Sequence, residues 1–138
     1  MFSAQELQGA LRREAHTLSS SVIWNNGDGT YTVQPLPDEV QWAPIRSILV
    51  HDFDGDGAQE LLLAGNYGGT KPEEGRYDAN SGLLLKLNAD RSFQVLSPRQ
   101  SGLQLRGVVN GAALLNGPNG KGRVIFARNN ETVQLYEY

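Results

Sequence analysis

The chain has 138 residues, of which 39% are hydrophobic, and this suits one folded domain with its own core. The formal net charge of −3 and the lack of any basic run argue against nucleic acid as a partner, and no apolar run is long enough to span a membrane as a helix. Cysteine is absent, which excludes disulfides, thiolate metal sites and a cysteine nucleophile.

An amphipathic helix is predicted near the N-terminus, over residues 4–18. Ser3 and Glu6 have the spacing of a capping box, in which each side chain bonds the backbone N–H of the other residue. Apolar residues then recur at steps of three and four and form one narrow stripe: Ala4, Leu7, Leu11, Ala15 and Leu18. The pattern divides the chain into a helical segment, 1–20, and a β domain, 21–138.

The N-terminal segment also bears on targeting. Residues 1–20 contain no apolar stretch of the signal-peptide type, so we predict no signal peptide in this chain. Either the protein stays inside the cell or the chain belongs to a longer exported protein. The residues themselves do not distinguish these two origins.

From Ser21 onward, short apolar runs alternate with turns rich in glycine and asparagine, which predicts about nine strands. The first two runs, SVIWN and TYTVQPL, flank the turn 26–29 and predict a hairpin. Asn26 and Asp28 of that turn could also belong to a second cation loop, although the turn alone explains them. The remaining strands are predicted at 45–50, 60–65, 82–87, 92–96, 107–115, 123–127 and 132–136.

The most specific pattern is an acidic loop between the third and fourth strands. It carries acids at alternate positions, and Gly55 and Gly57 let the backbone curl them around one ion. Ca²⁺ prefers about six to eight oxygen ligands, several of them anionic. The predicted ligands are four side chains and one backbone carbonyl: Asp52, Asp54, Asp56 and Glu60, with the carbonyl of Ala58. The alternative is a solvated acidic turn without metal.

An EF-hand loop begins in the same way but differs in its end and its flanks. It requires a bidentate Glu at the twelfth position, which here is Leu63, and it lies between helices rather than between strands. The β-flanked pattern D-x-D-x-D-G-x-x-D/E instead resembles the calcium loop of FG-GAP repeats in integrin-type β-propellers, and of bacterial VCBS-repeat proteins. Glu60 stands where Asp is more usual in those loops.

The resemblance covers roughly residues 20–138, which are similar to the C-terminal end of bacterial VCBS-repeat proteins. It rests on NNGDGTYTVQPLP, DFDGDGAQELLLAGNYGG, GRYDANSG and VIFARNNETVQLYEY. In propeller terms, four strands form one complete four-stranded blade: 45–51, 60–65, 82–88 and 92–97. The last three strands begin another blade. The hairpin 21–36 either supplies the outer two strands of a third blade or closes the last blade. The expected fold class is all-β with one N-terminal helix and about two propeller-type blades of antiparallel sheet.

The resemblance implies a non-catalytic binding module that is stabilised by Ca²⁺ and takes protein or carbohydrate ligands. It also implies an extracellular or cell-envelope location. Two blades alone would leave strand edges open, so we expect a homo-oligomer whose copies complete a propeller. The alternative is a small closed sandwich or barrel within one chain. The ligand itself is not named by the sequence.

The long polar segment 66–81 is the candidate ligand site, because loops of this length are often functional. Tyr67, Arg76, Tyr77 and Asp78 combine aromatic surface with polar groups beside the acidic loop, and they are the predicted ligand contacts. The alternative is a solvated loop in which Asp78 bonds the backbone that follows it.

The same segment supports an alternative function, a hydrolase that uses the acidic residues of the 66–81 loop. Glu73 and Glu74 are adjacent rather than placed to flank a bond, which gives paired-carboxylate chemistry little support. His51 is next to Asp52, but neighbours on a strand point to opposite faces, so His51 is interpreted as a structural residue at a strand end. The binding module is therefore the preferred hypothesis.

Overall fold

The computed structural model describes residues 2–3 and 5–138, and these residues form nine strands in three separate antiparallel sheets. The chain is mostly β, with 40% of it in strands and 9% in helices. The strands are β1 Ser21–Asn25, β2 Tyr31–Pro35, β3 Ile45–His51, β4 Glu60–Gly65, β5 Leu83–Leu87, β6 Phe93–Leu96, β7 Val109–Asn116, β8 Gly122–Arg128 and β9 Gln134–Glu137. Each predicted strand is confirmed, with its ends within two residues of the prediction.

Short helical turns lie in the connections. Two are four-residue helices, α1 Asp38–Gln41 and α2 Pro98–Ser101, and two are 3₁₀ turns, Pro72–Glu74 and Pro118–Gly120. Within the part of the chain that the structure describes, no helix has the length and hydropathy needed to cross a bilayer.

Strands that are neighbours in sequence are neighbours in each sheet. We call these the hairpin sheet (β1–β2), the central sheet (β3–β4–β5–β6) and the C-terminal sheet (β7–β8–β9). The central sheet contains the four strands predicted to form one antiparallel unit. Over residues 2–3 and 5–138 the sheets close into neither a barrel nor a propeller, so the interpretation as about two blades stays a prediction.

Strand β4 of the central sheet is buried on both faces, which explains why it reads as a continuous apolar run. On one face, Leu62 and Ala64 belong to the core shared with Phe126 of the C-terminal sheet. On the other face, Leu63 packs with Val40 of α1, beside the hairpin sheet. Phe126 is fully buried, and replacing such a residue by alanine typically costs about 3–5 kcal/mol.

The central and C-terminal sheets share the same local construction. Each has a β-bulge at the second residue of its first strand, Arg46 in β3 and Asn110 in β7. In each, the residue after the second strand donates its N–H to the carbonyl just before the first strand. Asn66 donates to Pro44 at 3.0 Å, and Asn129 donates to Val108 at 2.8 Å. The two sheets are therefore local structural repeats of one another.

The turn 26–29 is explained by its own hydrogen bonds. Asp28 Oδ1 accepts the N–H and the hydroxyl of Thr30 at 2.9 and 2.6 Å, and Asn26 Nδ2 donates to Thr30 Oγ1 at 2.9 Å. These bonds hold the pKa of Asp28 below its ordinary value. The β5–β6 turn repeats the arrangement with Asp90 and Ser92. Turn chemistry thus accounts for Asn26 and Asp28, in agreement with the simpler of the two interpretations.

The predicted N-terminal helix is wrong for the described residues of 4–18, while Ala4 lies outside them. The capping contact does form, because the Ser3 N–H donates to Glu6 Oε2 at 2.8 Å. However, residues 5–9 make only turns, and Gly9 has a φ of +85°, in the left-handed region that interrupts a right-handed helix. Leu11 and Leu18 are 76% and 90% exposed, so these two residues of the predicted apolar stripe lie in solvent. A short helix without packing is not stable in water.

Candidate functional site

Three carboxylates converge in the loop between β3 and β4. The antiparallel pairing sets His51 opposite Glu60, so the loop starts and ends at the same place in the sheet. One carboxylate oxygen from each of Asp52, Asp54 and Glu60 lies within 4.8 Å of the other two. Glu60 is only 1% exposed and its Oε2 accepts the Phe53 N–H at 2.8 Å. This acidic triad could hold a metal ion.

The backbone of the loop is wrapped around Asp52. Its two carboxylate oxygens accept the N–H groups of Gly55 at 2.7 Å and Gly57 at 2.9 Å. The φ angles of these glycines are +74° and +89°. A Cβ at either position would meet no atom within 4 Å, so glycine is required for its backbone conformation and not for space. This is the role that the sequence predicted for both glycines.

Asp56 lies beside the triad rather than in it. Its Oδ2 accepts a bond from Lys86 Nζ at 3.0 Å, and its Oδ1 accepts the Ala58 N–H at 2.8 Å. The Ala58 N–H and then Lys86 lower the pKa of Asp56. Lys86 also pairs with Asp54, and its bonds to Asp54 and Asp56 raise the pKa of its ammonium. A fixed positive charge therefore already touches two of the predicted ligands.

Sequence reasoning missed Lys86. It is the polar residue of β5, and the register of the central sheet pairs it directly with Glu60. The signal in the sequence was a single lysine within the run LLLKL. This run forms the strand that pairs with β4, and Lys86 therefore lies beside the acidic loop.

An aromatic cluster supports the base of the loop. His51 packs edge-on against Phe53 and Tyr138, with ring centroids 5.3 and 5.2 Å apart, and Phe53 and Tyr138 are 5.0 Å apart. Phe53 also contributes the N–H bonded to Glu60. These contacts agree with the interpretation of His51 as a structural residue.

The second feature is a cavity of about 940 Å³, lined on one side by the loop 66–81. Three of the four predicted ligand contacts line it: Tyr67, Arg76 and Asp78. Tyr77 is not among the lining residues; it pairs with Tyr67 through two backbone hydrogen bonds of 2.8 and 3.1 Å, and is half exposed. Those two bonds join the two arms of the loop near its base.

Buried Asn66 holds this loop in place. Its Nδ2 donates to the carbonyls of Asn80 at 2.7 Å and Gly107 at 2.9 Å, and its Oδ1 accepts the Asn80 N–H at 2.9 Å. It thereby joins both ends of the loop to the connection that precedes β7. Asn66 adopts a φ of +83°, which asparagine tolerates better than most residues.

Other elements complete the cavity wall. The bulged residues Arg46 and Asn110 line it, as do Arg106 and Glu131. None of these four was predicted from the sequence, because they lie outside the 66–81 loop and meet it only in the folded chain. Of the acids proposed for a hydrolase, Asp78 lines the cavity, whereas Glu73 is exposed in the 3₁₀ turn and does not.

The fold and site define a class: a mostly β chain of three antiparallel sheets with an acidic loop able to hold a metal ion. We find no match to this chain among protein-family models, characterised proteins or solved structures. The resemblance to FG-GAP and VCBS repeats therefore remains a prediction based on the motifs.

Proposed function

We propose that the protein is a non-catalytic binding module whose β fold is stabilised by Ca²⁺ in the β3–β4 loop. The observation that carries this proposal is the convergence of Asp52, Asp54 and Glu60 within 4.8 Å, with Glu60 almost wholly buried. Carboxylates held this close repel one another, and a buried one is costly without a positive partner. A divalent cation offsets both effects.

The remaining predicted ligands complete the coordination. The Asp56 carboxylate gives up its hydrogen bond from Lys86 and ligates the ion instead. The Ala58 carbonyl adds a neutral oxygen, as the resemblance to FG-GAP loops implies. Ca²⁺ suits this loop better than Mg²⁺, because Mg²⁺ demands a smaller and stricter octahedron.

The ligand of the module is a protein or a carbohydrate, and the cavity beside the 66–81 loop is where it binds. Support comes from the placement of Tyr67, Arg76 and Asp78 in the cavity wall. Tyr77 acts behind this wall by closing the loop through its pairing with Tyr67. By resemblance to VCBS-repeat proteins, the place of action is extracellular or in the cell envelope.

Thermal melts test the metal part of the proposal. If the affinity is on the order of 10⁻⁴ M, about 10 mM Ca²⁺ adds about 2.7 kcal/mol of stability. For a chain of this size that raises the melting temperature by about 8–10 °C relative to EDTA.

The variants Asp52→Asn and Glu73→Gln are a matched pair for this experiment. Each removes one carboxylate from the chain, but Glu73 lies outside the triad. We expect Asp52→Asn to abolish the calcium shift and Glu73→Gln to retain it. Equal melting temperatures of the wild type in Ca²⁺ and EDTA, with no heat of calcium binding, would contradict the proposal.

A further inference from the structure

Positive charge is concentrated in the cavity, although the chain as a whole carries a net charge of −3. Arg46, Arg76 and Arg106 line it together with two acids, Asp78 and Glu131, so the lining carries three positive and two negative charges. Glu131 is already paired with Arg128. The excess positive charge therefore belongs to the three arginines.

None of these arginines has an ion-pair partner among the side chains that the structure describes. The ion pairs of these side chains join other residues, such as Arg123 with Glu137 and Lys86 with Asp56. Arg46, Arg76 and Arg106 are exposed at the cavity. An arginine presents five N–H donors in a planar fork that matches a carboxylate, so with respect to the described side chains these arginines offer their donors to an anionic group.

Two β-bulges direct side chains to the cavity. Arg46 is the unpaired residue between Ile45 and Ser47, and Asn110 is the unpaired residue between Val109 and Gly111. A bulge re-aims a side chain and commonly occurs beside a functional site. These two bulges belong to different sheets, and the bulged residue of each one lines the cavity.

The rest of the lining suits hydroxyl groups. Asn110, Asn129 and Asn130 line the cavity, and each amide offers both a donor and an acceptor, as a sugar hydroxyl does. Tyr67 adds an aromatic ring that is 42% exposed. An acidic peptide that binds as an added strand is less well matched, because the bulges interrupt both β3 and β7 at this point.

We propose that this cavity binds a saccharide that bears carboxylate groups, with the arginines on the carboxylates and the asparagine amides on the hydroxyls. The inference rests on the proposed binding function and specifies its ligand class. It does not depend on the acidic loop, which lies outside the lining.

The test uses the full chain, held in Ca²⁺, and short oligosaccharides of glucuronate, galacturonate, mannuronate and guluronate. Each is titrated by calorimetry beside its neutral counterpart, with a blank titration into buffer to remove calcium binding by the sugar. We expect at least one uronate to bind at least tenfold more tightly than its neutral counterpart.

Two variants locate the binding. Arg46→Gln and Arg106→Gln should each weaken uronate binding about tenfold or more, while Arg99→Gln, which removes the same charge from α2 outside the cavity, should leave it unchanged. Melting temperatures of all three should stay close to that of the wild type, since none of these side chains is buried.

Several results would overturn the inference: no uronate binding at millimolar concentration, equal affinity for the neutral sugars, binding unaffected by Arg46→Gln and Arg106→Gln, or tighter binding of a triglutamate peptide or inorganic sulfate. The calcium melts are scored separately. A calcium shift without uronate binding rejects the saccharide site and leaves the calcium-stabilised fold intact. Uronate binding without a calcium shift supports the saccharide site and contradicts the metal proposal.

Discussion

At the scale of single residues, Lys86 most affects what the acidic loop can do. Its ammonium contacts Asp54 and bonds Asp56 at 3.0 Å, so it neutralises part of the charge that would otherwise attract an ion. A cation that recruits these acids has to displace this contact. Lys86 would therefore compete with a metal ion for these acids and lower the affinity of the loop for it.

Replacing Lys86 makes this competition measurable. The variant Lys86→Gln should bind Ca²⁺ roughly threefold to fivefold more tightly by calorimetry, a gain of the size associated with exposed ion pairs. In EDTA it should melt at a lower temperature than the wild type, because the loop acids then repel one another without compensation.

Lys121→Gln is the control for Lys86→Gln. It removes a lysine that pairs with Glu137 of β9, which is not one of the predicted metal ligands. If both variants change calcium affinity equally, the effect is one of net charge, and competition by Lys86 is rejected.

At the scale of elements, the end of β4 depends on close approach between two backbones. Gly65 pairs with Ile45, and a Cβ added at Gly65 would lie 1.9 Å from the carbonyl oxygen of Pro44. The same carbonyl accepts the Asn66 N–H at 3.0 Å. A glycine in a strand often marks such an approach, and here the approach positions the start of the 66–81 loop.

Gly65→Ala and Gly111→Ala form a matched pair for this argument. Both glycines lie in strands of bulged pairs, but a Cβ at Gly111 would meet nothing within 4 Å. We expect Gly65→Ala to lower the free energy of unfolding by about 2–3 kcal/mol or more through overpacking. Gly111→Ala should be neutral or stabilise by about 0.5 kcal/mol. Urea unfolding measures both, and equal effects would contradict the proposed close approach.

The elements also show how far the sequence could predict this fold. Strand positions were predictable because glycine and asparagine turns are local signals, and the acidic loop was predictable because its spacing is local too. The helix over 4–18 was not, because its stability depends on packing that the periodicity of Leu11 and Leu18 cannot reveal. Lys86, Arg46 and Asn110 reach their sites only through register and bulges, which are properties of paired strands.

At the scale of the whole molecule, the sheets are unequally covered. Strand β4 of the central sheet is covered on both sides, whereas the two sheets beside the central sheet each keep exposed apolar residues on their outer faces. Ile23 and Val33 pair across the outer face of the hairpin sheet and are 63% and 54% exposed. On the C-terminal sheet, Leu135 pairs with Ile125 on the face opposite buried Phe126, and Leu135 is 51% exposed.

These uncovered faces are the physical basis for the predicted homo-oligomer. In the central sheet, the residue that corresponds to Ile125 is Leu62, which is buried against the C-terminal sheet. The outer face of the C-terminal sheet thus resembles a face that is covered elsewhere in the same chain. The exposed faces of the hairpin sheet and the C-terminal sheet differ from each other, which favours head-to-tail contacts between copies. Such contacts close into a ring when the rotation between neighbouring copies allows it.

Light scattering coupled to size exclusion tests this association. We expect a mass above the 15.1 kDa of one chain at micromolar concentration, rising with concentration until a closed ring is reached. Leu135→Lys should shift the protein towards the monomer, because it places a charge on the apolar face of the C-terminal sheet. Leu18→Lys, at a site that is 90% exposed in the N-terminal segment, should leave the mass unchanged. A 15.1 kDa species over the whole concentration range would contradict the shared ring and favour single-chain function.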